Sequence, residues 1–455
     1  MRGVRGALAM HAASRFGLSL EGPEAREPPR IEGTEALRAL VGLAPGAVAL
    51  VTGPSGAGKS TLLRAAGAAL GARVLRMDEA DALPEIAAVE VAARAMGARG
   101  DDEARAEAGM RLLSRVGLGE ARCFVRTPSM LSTGQRQRLR LAAALARSRR
   151  GGALLVDEFL HGLDPATART VAALLARECR RDGVRLAVAT GNGSLGDSGA
   201  LGADAVVRVS LAGAATVERR GVGSALARRW RVVRGSYDDY RALRSFHYRA
   251  SAPAAPVLTL RAEDGDGSLA GVLVVVMPTL RGVWREAFWP GRYDAVAAGR
   301  REVSRRLNAE VRRIGRLVVD PRFRGAGVAR ALVRAYLDEP LTVRTEAVSG
   351  MGVISAFHEA AGMRSVMLPV SAWDQRLLDA MAHGGLSRHE MAAPRGCLAR
   401  WVGRCGEGFV EREVRRWARA SGATRRWAGE PLERLFARAC AAAACRKRAF
   451  GFEKA

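Results

Sequence analysis

The 455-residue sequence predicts an α/β domain with a mainly parallel sheet, then a separate α+β domain and a helical C-terminal region. Three observations predict this. Apolar strand-like segments alternate with helical ones up to about residue 215, the pattern of a parallel sheet with crossover helices. Next, PVLTLRAEDGDGSLAGVLVVVMP reads as two strands around a Gly/Asp turn, a hairpin signal. From about residue 371 the chain is rich in Arg and Trp and mostly helical in pattern. The divisions expected are a lead-in over 1–35, an α/β domain over 36–215, an α+β domain over 216–370 and a basic helical region over 371–455.

The elements follow in order. GAVALVTGPSGAGKSTLLRAAGAAL reads as strand, Gly-rich turn and helix. Residues 86–118 read as helical, interrupted at GDDEARAEAG. LSTGQRQRLRLAAALARS enters a helix, GALLVDEF is a buried strand ending in two acids, and VRLAVAT is another strand. In the second half, RIGRLVVDPRFRGAGVARALVRAYL is strand, loop and helix, followed by the strand LTVRTEAV and the short helix of GVISAFHEAAGM.

Composition narrows the function classes. No apolar run approaches the ~18 residues that a membrane span needs. The six cysteines show no CxxC spacing, which predicts reduced thiols and a cytoplasmic location. The net charge is +26 and uneven: residues 1–200 carry 28 basic and 21 acidic groups, or +7, and residues 201–455 carry 44 and 25, or +19. An excess of that size suits a polyanionic partner such as RNA.

Gly53-Pro54-Ser55-Gly56-Ala57-Gly58-Lys59-Ser60 fits GxxxxGK[ST], with Thr61 next. Glycines let backbone N–H groups wrap a phosphate without Cβ clashes, and the helix that follows points its positive end at the same anion. Lys59 is one of only three lysines in an Arg-rich chain. Its compact ammonium reaches between the β- and γ-phosphates, where a planar guanidinium is bulkier. Ser60 is the Mg²⁺-holding hydroxyl. Asp157 and Glu158 end the strand ALLVDEF; Asp157 is the second Mg²⁺ candidate and Glu158 the group that polarises the attacking water.

LSTGQRQRL, Leu131 to Leu139, resembles the signature motif of ABC-type ATPases, whose usual form is LSGGQ. Ser132, Gly134 and Gln135 match, and Thr133 replaces the first glycine. HGLD at 161–164 resembles the D-loop. The resemblance covers roughly 36–215. It implies ATP and Mg²⁺, and two ATPs sandwiched in a homodimer in which each signature loop caps the partner's nucleotide. Two positions depart from the family. Asp78 stands near the expected Q-loop glutamine, and Gly191 and Asn192 stand where the switch histidine belongs. These departures predict slow hydrolysis. Only 71 residues separate Lys59 from Leu131, too few for the long coiled coil of chromosome-maintenance relatives.

Arg324-Gly325-Ala326-Gly327-Val328-Ala329 is similar to the RxxGxG/A motif of the GNAT N-acetyltransferase superfamily, over roughly 231–370. The loop amides face a pyrophosphate by the same physics as the first loop. The resemblance implies acetyl-CoA as cofactor, with strand Leu317-Val318-Val319 bonding its pantetheine arm. His358 occupies the place of the family's acid, and Glu346 is the candidate base. Trp401, Trp417 and Trp427 lie among arginines, with RKR at 446–448; such interleaving suits phosphates and stacked bases, and the favoured alternative is amphipathic helices with Trp packed inward and solvated Arg outside.

The expectation is therefore an ATP-binding protein with slow ATPase activity coupled to an acetyl-CoA-dependent N-acetyltransferase, with RNA as a candidate acceptor. The alternatives are a nucleotide-controlled switch with a non-catalytic second domain, and the ATPase subunit of a transporter.

Overall fold

The computed structural model describes residues 10–11, 14–15, 34–77, 83–148, 152–191, 199–211, 214–220, 230–247 and 252–454. The lead-in lies almost wholly outside them, as do Asp78 and Asn192. The chain forms two compact units, Met1–Arg228 with Pro321–Ala326, and Arg229–Asp320 with Gly327–Ala455.

The first unit is built on a six-stranded sheet in the order β2-β3-β4-β1-β5-β6. Its strands are β1 (Val48–Thr52), β2 (Val74–Arg76), β3 (Ala153–Asp157), β4 (Arg185–Thr190), β5 (Ala205–Val209) and β6 (Ala215–Arg219). All pairs are parallel except β5 with β6. Strand β6 lies past the expected boundary at 215, because Ala205–Val209 bond it edge to edge. Val48, Ala49, Leu50 and Val51 are buried, as a strand covered on both faces demands. Burial of each larger side chain stabilises by ~1.5–3 kcal/mol.

Helices α1 (Glu35–Val41), α2 (Lys59–Leu70), α3 (Ala88–Ala95), α4 (Asp102–Arg115), α5 (Thr133–Arg147) and α6 (Pro165–Asp182) accompany this sheet. Thr34 caps α1 and Asp101 caps α4 through side-chain acceptors. Helix α2 is different: it starts from Gly58, at φ 93°, with no side-chain cap.

The second unit is a seven-stranded mixed sheet in the order β12-β13-β11-β10-β9-β8-β7. The strands are β7 (Arg231–Arg234), β8 (Pro256–Glu263), β9 (Leu269–Val276), β10 (Val311–Val319), β11 (Arg344–Ser349), β12 (Arg364–Met367) and β13 (Arg448–Glu453). Helices α7 (Tyr237–Leu243), α8 (Arg300–Glu310) and α9 (Val328–Asp338) accompany them, followed by α10 (Ala372–His383), α11 (Pro394–Cys405), α12 (Glu407–Arg419) and α13 (Leu432–Ala443). Only β10 and β11 pair in parallel.

The expected helical C-terminal region needs correction. Its last residues form β13, which pairs with β11 on one side and β12 on the other. Helices α10–α13 are thus an excursion between two neighbouring strands. They have their own core, including Leu377, Trp401, Val414, Trp417, Leu435 and Phe436. The six cysteines are free thiols.

Phe450 on β13 is fully buried. Phe450→Ala is expected to destabilise the second unit by roughly 3–5 kcal/mol. All seven tryptophans lie at position 230 or beyond, so tryptophan fluorescence during denaturation follows that unit. An unchanged midpoint would refute the role given to β13.

Candidate functional site

The first site gathers at the C-terminal ends of the parallel strands, where open α/β sheets bind ligands. Strand β1 ends at Thr52 and the loop leaves through Gly53. A Cβ at Gly53 would lie 2.1 Å from the carbonyl oxygen of Val209, so no other residue fits. Ser55, Gly56 and Ala57 carry the loop to Gly58, whose left-handed backbone turns the chain into α2. The first amides of α2 are the donors that a phosphate accepts.

Lys59 is buried, and its Nζ donates to the carbonyl oxygens of Gly53 and Pro54, each at 2.8 Å. Two loop carbonyls thus hold the ammonium in the curve of the loop. Ser60 and Thr61 follow in the first turn, half-buried. Asp157 closes β3 with 3% exposure, and its Oδ1 accepts from the N–H of Glu158 at 3.1 Å. A hydroxyl and a buried carboxylate at this end of the sheet are hard oxygen donors of the kind Mg²⁺ takes. They fit the Mg²⁺·ATP pair.

Glu158 and Leu160 are non-glycine residues with positive φ, 52° and 57°. Such conformations cost ~1–3 kcal/mol each and concentrate at functional sites. They turn the chain sharply out of β3 and fix Glu158 beside Asp157. The N–H of Phe159 donates to the carbonyl of Ala189 on β4, which anchors that turn to the sheet.

Ser132 is the N-cap of α5. Its Oγ accepts from the N–H of Gln135, and its own N–H donates to Gln135 Oε1 at 3.0 Å. This reciprocal capping box presents the start of α5 in one shape. Gly134 follows Ser132 closely against Leu163 of the D-loop, leaving only 3.0 Å for a Cβ. Sequence reading missed Gln137. It is buried, and its Nε2 donates to the carbonyl of His161, tying the signature helix to the D-loop. Its signal is its place two residues after Gln135, on the other side of α5, which periodicity alone does not separate from a surface glutamine. Gly191 directly follows β4 and is exposed, with no atom of the described residues close to where a side chain would stand.

In the second unit, β10 pairs with β9 as far as Val319, yet its parallel register with β11 ends at Ile314↔Ala347. The bulge between Ile314 and Arg316 sits where they part. The sheet therefore opens beside Leu317, Val318 and Val319. Helix α9 then begins from Gly327, at φ 89° and without a side-chain cap, the same start as α2. Val328 is buried and Ala329 half-buried. The loop Pro321–Ala326 is counted with the first unit, where Arg324 ion-pairs with Glu120 at 2.6 Å and Arg177 donates to the Gly325 carbonyl. The Arg324 guanidinium is thus already engaged, a correction to its expected role on a pyrophosphate.

Two further expectations fail. Glu346 is fully buried, and Arg285 clamps both its oxygens at 2.8 Å while Trp284 Nε1 donates to Oε2. Removing a proton from an acceptor would mean breaking a buried ion pair, which costs several kcal/mol. Glu346 instead pins the segment before β10 onto β11. His358 is stacked between Phe357 and Phe450, with ring centroids at 4.1 Å on both sides. Burial pushes its imidazole down to about 4, and Nδ1 has no hydrogen-bond partner among the described residues. At neutral pH it is uncharged and holds no acidic proton to give. It is a core ring.

One parallel sheet that joins a lysine-bearing phosphate loop, an acidic strand end and a capped signature helix defines an ATP-binding cassette. The family model described as ABC transporter matches residues 39–160. The lipoprotein-releasing system ATP-binding protein LolD 2 of Caulobacter vibrioides is 35% identical over 176 residues, 32% of this chain and 75% of that relative. The LolD protein of Maricaulis maris is 34% identical over 205 residues, 38% of this chain and 83% of that relative. A dimeric bacterial ABC transporter cassette of solved structure aligns at 23% identity over 39% of this chain and 87% of that one, with a TM-score of 0.32. The chain belongs to the ABC ATPase family, and ATP with Mg²⁺ is what that family uses.

The histidine environment gives a pH prediction. Unfolded, the imidazole takes up its proton near pH 6.5; folded, only near 4. Between these values the unfolded state binds more protons, so stability is full above 6.5 and falls by about 3 kcal/mol on acidification through 4. His358→Phe is expected to flatten that dependence of the second unit's unfolding midpoint. A variant with the wild-type slope would contradict the burial of His358.

Proposed function

We propose that two copies of this chain close on ATP and hydrolyse it slowly, as the ATPase subunit of a transport or release assembly. The observation that carries the reading is Lys59, held by the Gly53 and Pro54 carbonyls at the head of α2. The names of the relatives, lipoprotein-releasing systems among them, support a membrane-seated partner. No described helix is long and apolar enough to cross a membrane, so in this reading a partner supplies the spans.

In the closed pair, backbone amides of Gly56, Gly58 and Lys59 bind the phosphates and Lys59 neutralises their charge. Ser60 and Asp157 hold Mg²⁺, which shields the phosphate oxygens when bound. Glu158 orients and polarises the attacking water. Ser132 and Gly134 face the partner copy's nucleotide from the start of α5. Gly191 has no side chain to hold the γ-phosphate, and loss of one such donor lowers rates by about 10²–10³-fold. Slow turnover follows.

A second reading has a specific observation in its favour. The opening between β10 and β11, beside an uncapped helix start at Gly327, is the kind of cleft that takes the pantetheine and pyrophosphate of acetyl-CoA. This supports a GNAT-like acyl-CoA site on Leu317–Val319 and the helix start Gly327–Ala329. It supports binding more than transfer, because Glu346 and His358 are committed to the core.

Two measurements test the leading reading. Glu158→Gln is expected to accumulate an ATP-bound dimer in analytical ultracentrifugation, with a monomer in the absence of nucleotide; a chain that stays monomeric with ATP contradicts the paired site. Gly191→His is expected to raise steady-state ATP turnover roughly tenfold or more. A wild-type turnover already near ~10 s⁻¹, the usual enzyme value, would refute slow hydrolysis.

A further inference from the structure

Neither ATP binding nor acyl transfer draws on the excursion between β12 and β13. Residues 394–447 hold thirteen basic and five acidic side chains, a formal +8. The structure sorts these charges. On α12, Val410, Val414, Trp417 and Ala418 are buried in the excursion's own core. Arg412, Arg416 and Arg419 lie on the opposite side, at i, i+4 and i+7, and all three are exposed. A rise of 1.5 Å per residue sets them ~6 and ~4.5 Å apart along one stripe.

The acids of α12 are largely spent elsewhere. Glu411 pairs with Arg415 at 2.7 Å, and Glu413 is buried against Arg376 at 3.1 Å. Glu413 reaches Arg416 only at 4.0 Å. The stripe continues onto Arg425 and Arg426, both exposed. There the half-buried Trp427 has two guanidiniums near its ring, Arg426 at 5.0 Å and Arg438, which also pairs with Glu430, at 4.8 Å from the centroid.

We infer that this face docks a single-stranded nucleic acid. A row of guanidiniums tracks a phosphate backbone, and the planar groups beside Trp427 offer stacking surfaces for unpaired bases. A lipid surface fits less well. A membrane-lying helix needs an exposed apolar face, and the apolar face of α12 is already inside the excursion's core. The use of arginine, with lysine only at Lys447 in this span, suits bidentate phosphate contacts. The inference stands independently of the acyl-transfer reading.

The test uses the full-length protein and fluorescence anisotropy with labelled 20-nucleotide single-stranded RNA and DNA. The variant is R412Q/R416Q/R419Q. A charge-matched control, R241Q/R301Q/R305Q, removes three exposed arginines elsewhere in the second unit. Wild type and control are expected to bind one or both oligonucleotides. The stripe variant is expected to bind at least tenfold more weakly, with a salt slope smaller by about 2, since each lost phosphate contact removes ~0.7 on single strands. Unchanged tryptophan-fluorescence unfolding shows that the variant is folded. The inference is overturned by absence of oligonucleotide binding in the wild type, by equal weakening in stripe variant and control, or by an unaffected stripe variant. It is equally overturned if phosphatidylserine vesicles or an acidic peptide compete better than unlabelled oligonucleotide.

Discussion

An ammonium held between two loop carbonyls is the contact around which the cassette is arranged. Lys59 reaches back to Gly53 and Pro54, so the loop is curved and the positive charge sits inside it. That geometry depends on Gly53, where Val209 leaves no room for a Cβ, and on Gly58, which turns the chain into α2. It depends as well on β1, whose buried side chains bring the loop to the ligand edge of the sheet. The strained turn at Glu158 and Leu160 sets the acidic pair at that edge. Strain of this size persists because the Phe159 to Ala189 bond and the surrounding core over-determine it.

The second unit repeats one device of the first and withholds another. Helix α9 begins from a left-handed glycine with no side-chain cap, as α2 does, beside strands that part at a bulge. Yet the two groups expected to move a proton there are used for packing. Glu346 and Arg285 hold the segment before β10 against β11, and His358 is a stacked ring beneath Phe450. A buried, fully hydrogen-bonded ion pair fixes geometry at a cost in desolvation. It leaves neither carboxylate oxygen of Glu346 free for another partner.

Much of the cassette was legible in the sequence because its motifs are local. GPSGAGKST, LSTGQ, VDEF and HGLD each encode a turn, cap or strand end within a few residues. Ser132 and Gln135 show this well, since their spacing is itself a capping box. The alternation of strand and helix carried the parallel sheet. Illegible were the features set by contacts distant in sequence. Strand β13 follows an 80-residue helical excursion, and only its pairing with β11 and β12 reveals it. The same strand buries His358, which its own neighbours do not foretell. Glu346 read as a free acid because Arg285 is 61 residues away. Arg324 read as a phosphate ligand because Glu120 is farther still.

The central claim is that Lys59 is a lysine because the loop accepts only a compact cation at that point. Calorimetric titration of Mg²⁺·ATP into the full chain and into Lys59→Ala and Lys59→Arg tests it most directly. The account predicts a single site in the wild type and a loss of about a hundredfold or more in affinity in both variants, since a charge-assisted contact in a desolvated loop is removed or misplaced. Wild-type affinity in Lys59→Arg would contradict it.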